Sequence, residues 1–327
     1  MKKKIICIVG PTASGKTGLG VLLAKKFSGE IISADSRQVY RGLNVGTGKD
    51  RQEYGKIKCH LIDIVDPEEK FTLFDWLELA RRIIDNIFSR GKTPIVVGGT
   101  GLYVQALIEG FKLSQKPKIK NQNGNLKCRI YKREELEKKS LRELQNIYLR
   151  FRTIDSRLDQ NNPHRLIRAI ERAQNKQTPT KIRPDFEVLQ IGIFLPRQIL
   201  YEKIGRRVDQ RFENEGMLEE MAGLLANGIS PQWLKSLGLE YGIISNYINQ
   251  KIKINPPAGG QNDKEKIKNL YQKVKNEEEF KKMKQELKYK IHAFARRQLT
   301  WFRRFPEIKW IETPEEALTI VGNYLKK

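Results

Sequence analysis

The sequence predicts an α/β fold: a P-loop parallel sheet covered by helices, with a helical domain inserted into it. Three observations predict this. Short apolar runs alternate with stretches of helical period up to about residue 110. A complete G-x-x-x-x-G-K-[ST] signature, Gly10-Pro11-Thr12-Ala13-Ser14-Gly15-Lys16-Thr17, stands between the first such run and the first such stretch. From about residue 113 the composition turns polar and charged, and strand character returns only near Val188.

In order, Ile5–Val9 reads as the first strand and Lys16–Phe27 as the first helix, with the signature as the turn between them. Glu30–Ser33, Leu61–Ile64 and Pro94–Val97 read as further buried strands, and Leu73–Arg90 as a helix with an apolar stripe. Residues 1–112 form the first part of the sheet domain. Residues 113–185 are the insertion, opening with the polar stretch Ser114–Asn125 and holding charged helical patterns over Arg133–Phe151 and Asn162–Gln174. The sheet domain resumes over 186–327, with a strand at Val188–Leu195 and helices at Gln198–Glu215 and Leu218–Ala226. Near 250–275, Pro256-Pro257-Ala258-Gly259-Gly260 and many charges predict a mobile surface excursion.

A chain of 327 residues with 39% hydrophobic content is long enough for a substantial core. Its 62 Lys+Arg against 38 Asp+Glu leave a net charge of +24, which suits a polyanionic partner because each neutralised phosphate releases counterions. General lysine enrichment accounts for part of such an excess. Cys7, Cys59 and Cys128 lie far apart without a C-x-x-C pair and read as reduced thiols. No run of 18 apolar residues appears and Met1-Lys2-Lys3-Lys4 leads into a strand, so the expectation is a cytoplasmic protein with no membrane partner.

The chemistry-bearing residues follow the strands. Glycines in the signature let successive backbone N–H groups face a chain of phosphates, Lys16 adds a point charge, and Thr17 offers a hydroxyl to a magnesium ion. After the second strand, Asp35 stands where a carboxylate faces the phosphate loop and can act as a base or hold a metal. After the strand ending at Val97, Gly98-Gly99 permits close backbone approach and Thr100 points a hydroxyl into the same crevice. No acidic residue follows that strand, which argues against a nucleotide-hydrolysing motor. On a helix, Arg296/Arg303 and Arg297/Arg304 share a face while Ile291, Phe294, Ala295 and Phe302 form a buried stripe; Arg165 and Arg168 pair similarly. Spacing alone does not separate RNA contact from plain solvation at either place. His60, His164 and His292 have no metal-ligand spacing, so no zinc site is expected.

Together, GPTASGKT (10–17), ISADSRQVYRGLNVGTGK (32–49), HLIDIVDPEEKFT (60–72), VGGTGLYVQAL (97–107), NNPHRLIRAIE (161–171) and RRQLTWFRR (296–304) resemble the tRNA dimethylallyltransferase family, in its shorter bacterial form. The resemblance spans most of the chain. It implies transfer of a dimethylallyl group from its diphosphate to N6 of the adenosine 3′-adjacent to the anticodon of a tRNA. Carried over, Gly10, Thr12, Ala13, Ser14, Gly15, Lys16 and Thr17 would hold dimethylallyl diphosphate, with Mg2+ on Thr17. Asp35 would be the base, and Thr100 and Arg207 would support the leaving diphosphate. Asp35, Ser36, Arg37 and Gln38 would contact the flipped adenine. Arg133, His164, Arg165 and Arg168 would grip the anticodon stem-loop, and the protein would act as a monomer. Cys59 departs from a His common before His60, Asn44 replaces a common Asp, and the stretch 250–275 is longer than usual. Rival readings are an adenylate isopentenyltransferase, a small-molecule P-loop kinase and a non-catalytic RNA-binding protein. Intact Lys16, Thr17, Asp35 and Thr100 speak against the last.

Overall fold

The computed structural model describes residues 3–111, 131–151, 158–175, 184–251 and 270–326. They divide into two compact units, one built from Met1–Glu109 and Pro184–Lys327, the other from Gly110–Arg183.

The first unit is organised by a six-stranded, all-parallel sheet. Its strands are β1 (Lys3–Val9), β2 (Gly29–Ser33), β3 (Cys59–His60), β4 (Thr93–Gly98), β5 (Phe186–Ile193) and β6 (Lys309–Ile311), in the spatial order β3-β2-β4-β1-β5-β6. In register, Ile6 lies between Ile95 and Leu189, and Ile32 beside Val96. A central parallel strand is covered on both faces, which is why β1 reads Ile5-Ile6-Cys7-Ile8-Val9 with every one of these side chains buried.

Helices supply the cover. On one face, α1 (Lys16–Lys26) and α14 (Pro314–Lys326) pack Leu19, Leu23, Ala317 and Val321 against Ile6, Ile8, Ile95 and Ile191. α3 (Leu73–Ser89) lies against β2 and β4, and Trp76 donates its indole N–H to the Ser33 carbonyl at 2.9 Å while stacking on Tyr103 of α4 (Gly101–Ile108). A second core joins α8 (Arg197–Glu213), α9 (Met217–Ala226), α11 (Leu239–Lys251) and α13 (Glu278–Phe302) around Phe212, Tyr241, Phe280 and Leu287. Short helices α2 (Arg51–Tyr54), α10 (Pro231–Ser236) and α12 (Leu270–Val274) complete this unit. Among the described residues, no helix is long and apolar enough to cross a membrane.

The second unit holds α5 (Arg133–Glu137), α6 (Leu141–Leu149) and α7 (Pro163–Asn175) around Leu136, Leu144, Leu166 and Ile170.

Several expectations are corrected. Leu61–Ile64 is not a strand: the strand is Cys59–His60, because Leu61 and Asp63 take left-handed φ of 62° and 55° and the chain turns away to donate N–H bonds to the Gln38 and Val39 carbonyls. Arg133–Phe151 is two helices, since Ser140 starts a new one with a reciprocal capping box to Glu143. Phe294 is only half-buried, and Arg303 and Arg304 lie past the end of α13. The excursion near 250–275 falls mostly outside the described residues, as do Ser114–Asn125 and Cys128, but Leu270–Val274 is helical with both ends buried. The edge strand β6 and helix α14 had no sequence expectation.

Candidate active site

The loop between β1 and α1 carries the signature. Gly15 caps α1 at φ 90°, and Ala13 takes φ 61°, so the chain folds back on itself before the helix begins. No side chain caps α1 and no acidic residue lies in its first turn, which leaves its N–H groups open to an anion. Ser14 is buried with its Oγ unpartnered. An orphaned hydroxyl at that point fits a ligand rich in oxygens.

Lys16 turns its ammonium onto the Pro11 carbonyl at 2.5 Å. Burial lowers its pKa to about 8; the Asp35 carboxylate opposes the fall and the Arg207 guanidinium adds to it. Lys16 thus senses the charges of Asp35 and Arg207, which come from two other parts of the sequence. The Tyr54 phenol lies near Thr17, and burial pushes its pKa up.

Neighbouring strands set Asp35 and Thr100 side by side. Ser33 of β2 is in register with Val97 of β4, Thr100 N–H donates to the Ala34 carbonyl at 3.1 Å, and Ser36 N–H donates to Thr100 Oγ1 at 3.1 Å. Asp35 Oδ1 accepts the Arg37 N–H at 2.9 Å, forming an Asx turn, and among the described residues Oδ2 has no hydrogen-bond donor.

Beyond Asp35, side chains are held firmly. Gln38 accepts from Ser33 Oγ at 2.9 Å and donates to the Gly48 carbonyl at 3.0 Å. Arg37 is committed to Glu240 of α11 at 2.7 Å, with its guanidinium over Phe294. Burial opposes its charge, but Glu240 and Asp35 overcome that and raise its pKa. Glu240 also bonds the buried Arg211 at 3.4 Å, whose pKa burial and the nearby Arg207 lower to about 10. Arg207 of α8 pairs with Asp50 at 2.9 Å and lies so close to Gly48, φ 66°, that a Cβ there would collide with the guanidinium.

In the second unit, α7 buries Leu166, Ile167, Ala169 and Ile170 and exposes His164, Arg165 and Arg168. These three border an open hollow of about 440 Å³ with Leu158, Asn162 and Arg172. Arg133 instead pairs with Glu137 at 2.7 Å and Glu171 at 3.2 Å. Among the described residues, no three His, Cys, Asp or Glu side chains cluster as a metal site.

Sequence reasoning missed Glu240, Arg211 and Gln298. Gln298 of α13 is buried, accepting Thr12 N–H at 2.9 Å and donating to the Gly99 carbonyl at 2.9 Å. A signal for it existed: it falls on the stripe of Ile291, Ala295 and Phe302, a polar residue on an apolar face. Nothing in the spacing marks Glu240.

Two family models match the chain, "IPP transferase" over residues 38–305 and "Isopentenyl transferase" over residues 3–58. The chain is 39% identical over 316 residues to tRNA dimethylallyltransferase 2 of Shewanella sediminis, covering 94% of this chain and 93% of that protein. Its fold is similar to that of the full-length tRNA isopentenylpyrophosphate transferase of Bacillus halodurans, at 32% identity and TM-score 0.66, covering 99% of this chain and 96% of that one. A eukaryotic dimethylallyltransferase acting on tRNA shares the fold at TM-score 0.71 and 22% identity, over 99% of this chain and 80% of that one.

Proposed function

The chain belongs to the IPP transferase family, the tRNA dimethylallyltransferases, and from that premise we propose that it prenylates tRNA, moving a dimethylallyl group from its diphosphate to N6 of the adenosine 3′-adjacent to the anticodon. One observation carries the proposal: an uncapped, glycine-turned helix N-terminus holds the orphaned Ser14 hydroxyl, and Lys16 beside it feels both the Asp35 carboxylate and the Arg207 guanidinium. That is two cations for a diphosphate and a carboxylate for an amine.

In the reaction, the N6 lone pair forms a bond to C1 of the allyl group. The C1–O bond breaks and its electron pair leaves with the diphosphate. An adenine amino group is a poor nucleophile, so stabilising the departing charge matters most. Lys16, Arg207 and the open N–H groups of α1 are the chain's donors to it, each such donor being worth about 3 kcal/mol in comparable sites. The Thr100 hydroxyl, held by Ser36 N–H, lies beside Asp35 to steady the leaving group. Asp35 Oδ2, the oxygen not engaged by Arg37, takes the N6 proton. A magnesium ion would be held by Thr17 and would supply further neutralisation of the departing charge.

The acceptor base must leave its stack, at a cost of a few kcal/mol that is lowest in a loop. Ser36, whose hydroxyl accepts a long bond of 3.5 Å from Thr100 Oγ1, is the polar side chain beside Asp35 for the flipped base, whereas Arg37 and Gln38 shape its surroundings from within their own networks. His164, Arg165 and Arg168 would grip the RNA backbone. The reading includes a monomer working in the cytoplasm, where tRNA is found. The kinase and free-adenylate alternatives find no support, since the relatives matched over nine-tenths of the chain carry tRNA in their names.

The test is single-turnover transfer from labelled dimethylallyl diphosphate to unmodified tRNA, with and without magnesium. Label enters RNA only with the metal, and Asp35→Ala slows the step by about 100- to 10,000-fold with little change in tRNA affinity. A near-normal single-turnover rate in that variant removes Asp35 as the base.

A further inference from the structure

The contacts of Gln298 have no role in the chemistry above. Gln298 does not face solvent with its arginine neighbours on α13; it turns inward and is 8% exposed. Its Oε1 accepts the N–H of Thr12, in the glycine-rich loop, and its Nε2 donates to the carbonyl of Gly99, in the turn after β4. Both bonds are 2.9 Å. The amide thus spans the two loops that carry the diphosphate-facing groups, and both bonds are to backbone, so the link depends on backbone position alone.

Two further contacts show that the fit is built. A Cβ on Gly99 would collide with Gln298 Nε2, and a Cβ on Gly101 would collide with the indole of Trp301, one turn further along α13. The glycines of this turn therefore make room for α13. Thr100 lies between them, and its hydroxyl accepts from Ser36 N–H.

We propose that Gln298 is a positioning residue for the donor diphosphate: it clamps the Thr12 arm of the phosphate cradle to the Gly99–Gly101 turn, and so fixes Thr100 against the cradle. This rests on the functional reading given above, in which the cradle holds a diphosphate. By fixing Thr12, the clamp directs one cradle N–H away from the ligand and sets the orientation of those that remain. Without it, the two loops move independently, and the cradle must be ordered when the diphosphate binds.

The clamp is tested by titrating inorganic pyrophosphate with magnesium into wild type, Gln298→Ala, Gly99→Ala and the double variant, with tRNA binding measured in parallel. Each single variant is expected to raise the pyrophosphate Kd about tenfold, equivalent to about 1.4 kcal/mol. The double variant should be no worse than either single one, because Gly99→Ala acts by displacing a side chain that is already gone. The KM for dimethylallyl diphosphate should rise with the Kd, while the tRNA Kd stays within about twofold, a split that a general loss of structure would not produce. Should the alanine variant fail to fold, Gln298→Glu replaces it, keeping an acceptor for Thr12 while facing the Gly99 carbonyl with a carboxylate. Single variants that hold pyrophosphate like wild type overturn the proposal, as does a double variant whose loss is the product of the two. Wild-type protein that binds pyrophosphate but prenylates no tRNA overturns the functional reading instead and leaves the clamp standing.

Discussion

A half-buried lysine with its pKa lowered to about 8 makes ligand binding report on pH. Lys16 is lowered to about 8 in the free protein, chiefly by burial, and only its protonated form attracts an anion. Pyrophosphate affinity is therefore expected to be full below pH 8 and to weaken as pH rises through it. Calorimetry across pH 6.5–9.5 checks this, and Lys16→Met should lose the inflection along with most of the affinity. Glu240 makes a different expectation. Its replacement by Gln leaves Arg37 and Arg211 short of their shared counter-charge, a change that costs about 3–5 kcal/mol where buried pairs are broken. Chemical denaturation measures it. Residues of the first kind were legible in the sequence because the chain itself brings them together: Lys16 and Thr17 follow their loop directly, and Asp35 follows its strand. Glu240 and Gln298 were not, because they reach the same place from helices more than two hundred residues downstream.

Among the elements, legibility followed burial. Strands covered on both faces read as apolar runs, and β1, β2, β4 and β5 lie within a few residues of their expected places. The error at Leu61–Ile64 has a physical cause: Leu61 is buried, so its segment reads like a strand, but Asp63 is drawn to Lys49 at 2.6 Å and the backbone leaves the sheet to reach it. β6, three residues long, has too little pattern to see. Local chemistry can also set a boundary outright. Thr72 and Asp75 form a reciprocal capping box at the start of α3, with Thr72 N–H donating to Asp75 at 2.8 Å. Thr72→Ala is expected to cost about 1 kcal/mol in a urea titration, with no change in the slope.

At the scale of the molecule, a single carboxylate secures one side of the sheet. Glu30 of β2 is 2% exposed and receives Lys92 at 2.9 Å and His60 at 2.8 Å, together with both guanidinium nitrogens of Arg90. Arg90, with Lys92 and His60, holds its carboxyl well below the usual range against the opposing effect of burial. A depressed folded pKa stabilises above the unfolded value of about 4.3 and is lost as pH falls. The stability gap between wild type and Glu30→Gln should therefore be full at pH 7 and shrink below about pH 4, as thermal melts at a series of pH values would show. The +24 net charge suits a polyanionic partner, but the sequence does not mark where on the molecule that charge acts. If Arg165 and Arg168 each neutralise one phosphate, replacing both should flatten the salt dependence of tRNA binding by roughly 1.4 to 1.8 in logarithmic slope. An unchanged slope removes them from the footprint.

The amide that joins Thr12 to Gly99 comes from a residue 286 positions downstream of Thr12. Closing so long a loop costs chain entropy that the sheet and its covering helices must offset. A chain in which α13 has not yet docked therefore lacks the tie between the glycine-rich loop and the Gly99 turn, and the two loops stay independent of each other until it does.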